Sequence, residues 1–197
     1  MKVIITGHTS GIGAAVYNTL KAAGHSVVGL SRSNNYNIKD EDRVVEKIIS
    51  ENPDVFVNNA YSKGSQTNIL KKIYDSWKYE DKLIINICSV ASLIPNTHED
   101  YLMEYASDKR EQRHFCEKVN FQYSKNDFKL IKCRLTNLNF DYAKTNFKSK
   151  HDKRKFPNLT PEEIANIVMF ITSNKNVCIR EISFHSTRSP EIEEWRL

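Results

Sequence analysis

Short apolar runs recur along the chain at intervals that suit the strands of a sheet. Runs of this length that are apolar throughout are typical of strands buried on both faces. The predicted strands are KVIITG (2–7), SVVGLSRS (26–33), PDVFVNNA (53–60), KLIINICS (82–89), FKLIKCRL (128–135) and NVCIREISFH (176–185).

Segments with apolar residues three and four positions apart lie between these runs and predict helices. They cover 11–25, 41–52, 67–80, 101–123 and 160–173. The last begins with a clear start signal, because Thr160 suits the N-cap, Pro161 the first position, and acidic residues follow. Alternating strands and helices predict an α/β fold with a doubly wound parallel sheet, in a single domain spanning 1–197.

Composition narrows the class of protein without identifying it. The 197 residues are 40% hydrophobic and 27% charged, which is ordinary for a globular domain. A mean hydropathy of -0.55 and the absence of a long apolar stretch argue against a membrane span. The chain enters a strand pattern almost at once, so we expect no secretory signal. Four cysteines without a C-x-x-C pair predict free thiols and a cytoplasmic location.

Positive charge is concentrated in one segment, KTNFKSKHDKRK (144–155). No aromatic-basic motif accompanies it, so we expect no nucleic-acid partner. The segment fits either a solvated basic loop or, within a long polar stretch over 140–157, a mobile lid that attracts an anionic substrate.

The segment TGHTSGIG (6–13) joins the first predicted strand to the first predicted helix. Glycine permits positive φ and close approach of the backbone to a ligand. The N-terminus of a helix offers unpaired N–H groups and a partial positive charge, which suit a pyrophosphate. The spacing by itself is also compatible with a tight structural turn.

Four motifs in order resemble those of the short-chain dehydrogenase/reductase family. They are the T-G-x-x-x-G-I-G turn, NNA at 58–60, NICS at 86–89, and Y-x-x-x-K from Tyr105 to Lys109. The resemblance extends along almost the whole chain. It implies a Rossmann-type fold and hydride transfer between a nicotinamide cofactor and a small carbonyl or alcohol substrate.

Tyr105 and Lys109 lie one helical turn apart and therefore on the same face. A free phenol titrates near ~10, and a nearby ammonium would lower that pKa, so Tyr105 is the predicted general acid and base. The resemblance gives Lys109 a second role, holding the nicotinamide ribose, and makes Ser89 the residue that orients the carbonyl. Ser92 competes with Ser89, and Tyr101 with Tyr105, although no lysine follows Tyr101 at the right spacing.

A fourth catalytic residue of the family is an asparagine on the preceding helix that supports a proton-relay water. Asn68 is the candidate for this role, by a looser match.

The residues after the second strand predict which cofactor is preferred. An acid there would favour NAD, whereas this chain has Ser31 and Arg32, and arginine matches a phosphate. We therefore expect NADP(H), with NAD possible; Arg32 is alternatively an ordinary surface residue. The resemblance implies further cofactor contacts from Gly7, Thr9, Ser10, Gly11, Ile12, Gly13, Asn37, Ile38, Asn58, Asn59, Ala60, Tyr105 and Lys109.

Several features depart from the family pattern. Tyr61 follows NNA where the family has glycine, the Pro-Gly pair expected after the strand at 128–135 is absent, and Thr145 is an uncertain match to a threonine that contacts the cofactor amide. Two alternative functions stay open. The altered loops favour a nucleotide-binding regulator or scaffold without turnover, and the basic segment suggests a nucleotide-sugar epimerase or dehydratase.

The resemblance also implies self-association. In relatives the helix with the catalytic tyrosine and its predecessor pack against a second subunit. Apolar surface for this is expected at Tyr74, Trp77, Phe115 and Val119, which predicts a homodimer or homotetramer.

Overall fold

A computed structural model describes the chain over residues 1–93, 100–125, 131–140 and 159–187. The described residues form one six-stranded sheet in the order β2-β1-β3-β4-β5-β6, and every neighbouring pair is parallel. The strands are β1 (Lys2–Thr6), β2 (Ser26–Leu30), β3 (Val55–Asn58), β4 (Leu83–Ile87), β5 (Arg134–Phe140) and β6 (Glu181–Phe184).

Within the described ranges, five α-helices cover the two faces of this sheet. They are α1 (Gly11–Ala22), α2 (Glu41–Glu51), α3 (Ser65–Trp77), α4 (Asp100–Lys125) and α5 (Pro161–Ser173). Helices α1 and α5 pack together on one face, and α2, α3 and α4 pack side by side on the other. The predicted doubly wound parallel α/β fold is thus confirmed.

The core consists of two apolar clusters, one on each face of the sheet. Val3, Ile5, Val57 and Ile85 pack toward α1 and α5, whereas alternate residues of the same strands pack toward α2, α3 and α4. The strands are apolar on both faces because both faces are covered, which explains the continuous apolar runs in the sequence.

The prediction for the fifth strand is wrong in position. Residues 128–130 lie outside the described part of the chain, 131–133 precede the strand, and β5 is Arg134–Phe140, with the sequence RLTNLNF. Asparagine has a low strand propensity, so the sequence favours the apolar run that precedes Asn137 and Asn139. In the structure Asn137 and Asn139 are buried in β5, with their amides hydrogen-bonded. The last strand also begins later than predicted, at Glu181 instead of residue 176.

The apolar side chains expected at a subunit interface mostly lie inside the protein. Tyr74, Trp77 and Val119 are buried in the core beneath α3 and α4, and Phe115 packs partly buried against Tyr74. The argument that these residues form an exposed apolar surface is therefore wrong. A homodimer or homotetramer remains a prediction that has lost this support.

All four cysteines lie in the described part of the chain and have free thiols. Cys88, Cys116 and Cys133 are buried, and burial raises the pKa of each thiol. Among the described helices, none is both long enough and apolar enough to cross a membrane.

The N-terminus of α5 provides a test of local stability. Thr160 Oγ1 accepts a hydrogen bond from Glu163 N at 3.2 Å, and Thr160 N donates to Glu163 Oε2 at 2.7 Å. We expect Thr160→Ala to lower the free energy of unfolding by about 1 kcal/mol, measured by urea denaturation, because the hydroxyl acceptor is lost. Thr160→Ser retains the acceptor and is the control. Equal losses in both variants would contradict a capping role.

Candidate functional site

The candidate site lies at the edge of the sheet where the parallel strands end. From β1 the chain moves outward to β2 on one side, and from β3 it moves on to β4 on the other. The crevice between the carboxyl ends of β1 and β3 is therefore the topological switch point, where doubly wound sheets bind ligands. The glycine-rich turn, NNA and NICS lie at the carboxyl ends of β1, β3 and β4, and Lys109 of the Y-x-x-x-K motif contacts the end of β4.

The glycine-rich turn is shaped by close backbone packing. Gly7 has a φ of 75°, a conformation that favours glycine. A Cβ added to Gly13 would lie 2.1 Å from the Gly7 carbonyl oxygen, so the first turn of α1 closely approaches the end of β1. Ser10 precedes α1 without capping it through its side chain. The first N–H groups of α1 therefore have no side-chain acceptor from Ser10.

The NNA motif is fastened to the end of β1. Thr6 Oγ1 accepts hydrogen bonds from Asn59 N at 3.1 Å and Ala60 N at 3.0 Å, while Asn59 Nδ2 donates to the Thr6 carbonyl oxygen at 2.9 Å. These contacts hold the β3 end beside the glycine-rich turn. Thr6 is a residue that the sequence analysis did not single out.

Lys109 is buried with only 3% of its surface exposed. Its Nζ donates to Gln66 Oε1 at 2.7 Å, to the Ile87 carbonyl oxygen at 3.1 Å and to Gln112 Oε1 at 3.4 Å. Burial disfavours the charged form and lowers the pKa of Lys109 to about 8. The ammonium is held by protein acceptors that compensate part of its desolvation.

Gln66 is the best-positioned partner of this lysine. Its Nε2 donates to the carbonyl oxygens of Asn58 at 2.8 Å and Ile87 at 3.0 Å. Two carbonyl acceptors can be satisfied only by the amide nitrogen, so Oε1 must face Lys109. Gln66 therefore fixes the ammonium relative to the ends of β3 and β4.

Tyr105 and Ser89 lie beside Lys109, as the Y-x-x-x-K spacing predicts. Lys109 Nζ is 5.5 Å from the centroid of the Tyr105 ring. Burial raises the pKa of Tyr105 to about 12, although a side-chain hydrogen bond with Ser89 acts in the opposite direction. The expectation that Lys109 lowers the pKa of this phenol is thus wrong for this arrangement. The ammonium lies over the ring and donates to other acceptors, so the cost of burying a phenolate dominates.

Of the two serine candidates, Ser89 is the one associated with Tyr105. Ser92 is buried and its hydroxyl donates to Asn139 Oδ1 at 3.5 Å, away from the tyrosine. The side chain of Tyr101 lies outside the described residues.

A row of buried amides extends from this site across the sheet. Asn58, Asn86 and Asn137 stand opposite one another on β3, β4 and β5. Asn58 Nδ2 donates to Asn86 Oδ1, and Asn86 Nδ2 donates to Asn137 Oδ1, each at 2.9 Å. Asn86 Nδ2 also contacts Gln112 Oε1 at 3.3 Å, which joins the row to the partners of Lys109. Asn58 is therefore occupied in this network.

A second part of the site lies beyond the end of β2. An open cleft of about 520 Å³ is lined by Arg32, Asn35, Asn37, Asp40 and Arg43. Both arginines are exposed, and Arg43 is positioned over the ring of Tyr36 at 5.5 Å. Arg43 was missed by the sequence analysis, because only the fold brings the first turns of α2 to the β2 end.

Two other predicted cofactor residues near this cleft are occupied within the chain. Ser31 is buried and its hydroxyl is hydrogen-bonded to that of Ser33 at 2.8 Å. Ile38 is 7% exposed and packs into the core with Val44 and Ile48.

Asn68 is not brought to the other candidate catalytic residues. It is exposed on α3, and its Nδ2 donates to Glu41 Oε1 on α2 at 2.9 Å. Its neighbour Gln66, two residues earlier, points to the opposite side of α3 and contacts Lys109 instead. The sequence predicts the right helix for this role but not the right face of it. The signal that could have found the partner of Lys109 is Gln66, an amide on the buried face of α3. Thr145 and the basic segment 144–155 lie outside the described residues.

Comparison with solved structures identifies the fold class. An alcohol dehydrogenase from the archaeon Thermococcus sibiricus, complexed with 5-hydroxy-NADP, superimposes with a TM-score of 0.72 at 20% identity, covering 96% of this chain and 98% of that one. A 3-ketoacyl-(acyl-carrier-protein) reductase from Brucella melitensis, complexed with NADH, gives 0.72 at 17%, with coverages of 95% and 98%. A short-chain dehydrogenase/reductase from Vibrio parahaemolyticus gives 0.70 at 17%, with coverages of 93% and 98%.

These similarities confirm at the level of the fold the resemblance predicted from the motifs: the chain has the Rossmann-type fold of the short-chain dehydrogenases/reductases. A model of the NAD-dependent epimerase/dehydratase family matches residues 3–93, which carry the glycine-rich turn, NNA and NICS. A search of curated protein sequences finds no match.

The lowered pKa of Lys109 makes a prediction about stability. Between pH 8 and about 10.5 the unfolded chain keeps a proton that the native lysine has released, so the free energy of unfolding rises with pH in that window. Relative to Lys109→Met, the parent protein should gain about 3 kcal/mol over the window, measured by urea denaturation.

Lys118→Met, at an exposed lysine on the same helix, is the matched control. If the difference between the parent and Lys109→Met is independent of pH, then the lysine is not buried as an ammonium with a depressed pKa.

Proposed function

We propose that the chain is a member of the short-chain dehydrogenases/reductases that transfers hydride between a nicotinamide cofactor and a small carbonyl or alcohol substrate. The observation that carries this proposal is the association of Ser89, Tyr105 and Lys109 at the sheet edge that also holds the glycine-rich turn. A proton donor with an orienting hydroxyl is of no use to a protein that only binds nucleotide. The similar structures of dehydrogenases and reductases agree with an oxidoreductase.

The residues present fit a dinucleotide. Gly7 and Gly13 leave a cradle that a Cβ would fill, and the α1 N-terminus beside it suits a pyrophosphate. Gly11, Ile12 and Gly13 would offer N–H groups, exposed Thr9 and Ser10 their hydroxyls, and Ala60 its backbone. Lys109 would hold the ribose next to the nicotinamide. The bound cofactor would supply or accept the hydride.

In this proposal Tyr105 moves the proton. With its pKa raised to about 12, the phenol keeps its proton at neutral pH and is ready to donate it to a carbonyl oxygen that gains negative charge. Ser89 is hydrogen-bonded to Tyr105 and would share the same oxygen. Donation leaves Tyr105 as the phenolate from which alcohol oxidation starts, so the raised pKa by itself favours neither direction of the reaction.

The cleft at the end of β2 supports a preference for NADP(H). Two guanidinium groups, from Arg32 and Arg43, line it. Arginine matches the geometry of a phosphate, which is the group that distinguishes NADP from NAD.

We expect NADPH to bind more tightly than NADH, and Arg32→Ala and Arg43→Ala each to weaken NADPH by about tenfold, the worth of one charge-assisted contact. NADH affinity should change little, since NADH lacks the phosphate. Titration calorimetry of both cofactors measures this, with Lys118→Ala as a control distant from the cleft. Equal affinities for both cofactors in the parent would contradict the preference.

The test of the function itself is Tyr105→Phe, which keeps the ring and removes the exchangeable proton. NADPH affinity should change little, whereas turnover should fall about 10²–10⁴-fold, the usual contribution of positioned proton transfer. Lys109→Ala should lower both, because it removes a proposed ribose contact. A panel of activated aldehydes and diketones, with NADPH oxidation followed optically, provides the assay.

Tyr17→Phe, on α1, is the matched control and should retain the parent activity. Parent activity that survives in Tyr105→Phe would overturn the mechanism.

A second candidate function is a nucleotide-binding regulator that turns over no substrate. It is favoured by one observation, that three acceptors of the protein already occupy Lys109 Nζ. A parent protein that binds NADPH tightly and oxidises it with no compound of the panel would support this candidate.

Two further proposals concern the cellular compartment and the charge of the substrate. The free, mostly buried thiols support a reducing compartment such as the cytoplasm. A preference for an anionic substrate would rest on the basic segment 144–155, which lies outside the described residues.

A further inference from the structure

Tyr61 stands directly over the two central residues of the candidate site. Its ring meets that of Tyr105 edge to face, with 5.0 Å between centroids and 77° between planes. Lys109 Nζ lies 5.2 Å from the centroid of the Tyr61 ring. The ammonium is therefore flanked by two aromatic rings, an arrangement that favours a cation.

The phenol of Tyr61 is tied to α4 by a carboxylate. Tyr61 Oη donates to Asp108 Oδ2 at 3.0 Å, and the same oxygen accepts from Gly64 N at 3.0 Å. Asp108 immediately precedes Lys109, so the same turn of α4 carries the lysine that the Tyr61 ring covers and the carboxylate that holds the ring in place. Gly64 has a φ of 70° and precedes α3, which directs its N–H toward Asp108.

Exposure shows which of these groups is outermost. Tyr61 is 43% exposed, whereas Lys109 is 3% exposed. The buried acceptors of Lys109 come from Gln66, Ile87 and Gln112, on the inner side of the lysine. A ligand hydroxyl that approaches Nζ from the crevice therefore meets the Tyr61 ring first.

We propose that Tyr61 is a gate for this site, which the hydrogen bond to Asp108 latches closed and which must swing outward before a ligand hydroxyl contacts Lys109. The gate deepens the proposed function and rests on it for the identity of the ligand. The closed position itself depends only on contacts within the chain. Opening must break this exposed hydrogen bond and the edge-to-face contact with Tyr105, each of modest strength, which leaves a minor open population.

The first experiment measures access to Lys109 without any cofactor. The protein is labelled with a trace of isotopic acetic anhydride at pH 8, and the labelling rate of each lysine is read by mass spectrometry. Tyr61→Ala removes the ring and should raise the rate at Lys109 about tenfold, the factor expected if the gate is closed in about nine molecules of ten. Tyr61→Phe removes only the latch and should raise it by a smaller factor.

Tyr79→Ala is the matched control. Tyr79 is also an exposed tyrosine under a lysine, with Lys78 Nζ 5.0 Å from its centroid, but it follows the C-terminal end of α3, whereas Tyr61 precedes the N-terminal end of that helix. This variant should leave the rate at Lys109 unchanged. A rate at Lys109 in Tyr61→Ala within about twofold of the parent would overturn the gate. Should Tyr61→Ala fail to fold by circular dichroism, an unchanged rate in Tyr61→Phe overturns it equally.

The second experiment measures the affinity for NADPH by calorimetry. If the gate is open in about one molecule of ten, the apparent affinity of the parent for NADPH is about tenfold below that of the open form. Tyr61→Ala has no gate and should therefore bind NADPH about tenfold more tightly than the parent. Faster labelling of Lys109 without any binding of NADPH in parent or variant would retain the gate and refute the proposed cofactor. Unchanged labelling with normal NADPH binding would refute the gate and retain the cofactor.

Discussion

Burial of the Lys109 ammonium is the constraint on which the candidate site depends. Removing a charge from water costs several kcal/mol unless hydrogen bonds compensate for it. Here the compensation comes from three acceptors, of which Gln66 Oε1 at 2.7 Å is the nearest. Gln66 in turn must direct its amide nitrogen to two backbone carbonyls, and Gln112 connects to Asn86. The burial of this one lysine is thereby connected to buried amides at the carboxyl ends of β3, β4 and β5.

This arrangement explains why Tyr105 differs from the simple expectation. Proximity of a lysine lowers the pKa of a phenol when the ammonium faces the phenol oxygen. Lys109 lies over the ring instead, with its N–H groups directed at amide and carbonyl oxygens. Burial then dominates the pKa of both groups, raising that of Tyr105 and lowering that of Lys109. Tyr105 is therefore a neutral phenol, and the Lys109 ammonium beside it loses its proton more readily than a lysine in water.

The sequence predicted the architecture and most of the motif geometry, because hydrophobic period and glycine spacing are local properties. Tyr105, Lys109 and Ser89 came together as their motifs required. Three errors share one cause, which is that burial is decided by the whole fold. Asn137 lies in a strand that its composition disfavoured, Asn68 lies on the outer face of α3, and Trp77 fills the core instead of an interface. Arg43 and Asp108 became recognisable only once distant segments were packed together.

The row of asparagines on β3, β4 and β5 has a consequence for how the sheet assembles. A slip of β5 by one residue would turn its side chains to the opposite face. A slip of two residues keeps the faces. In one direction it sets Leu135 beside Asn86, and in the other it sets Asn137 beside Ile84 while Asn139 moves beside Asn86, so each slip leaves at least one buried amide beside an apolar residue. Apolar residues would tolerate such sliding far better. The amides thus favour a single register of β3, β4 and β5. In a sheet built mostly of Ile, Leu and Val, which pack almost equally well in several registers, they disfavour mispaired strands during folding.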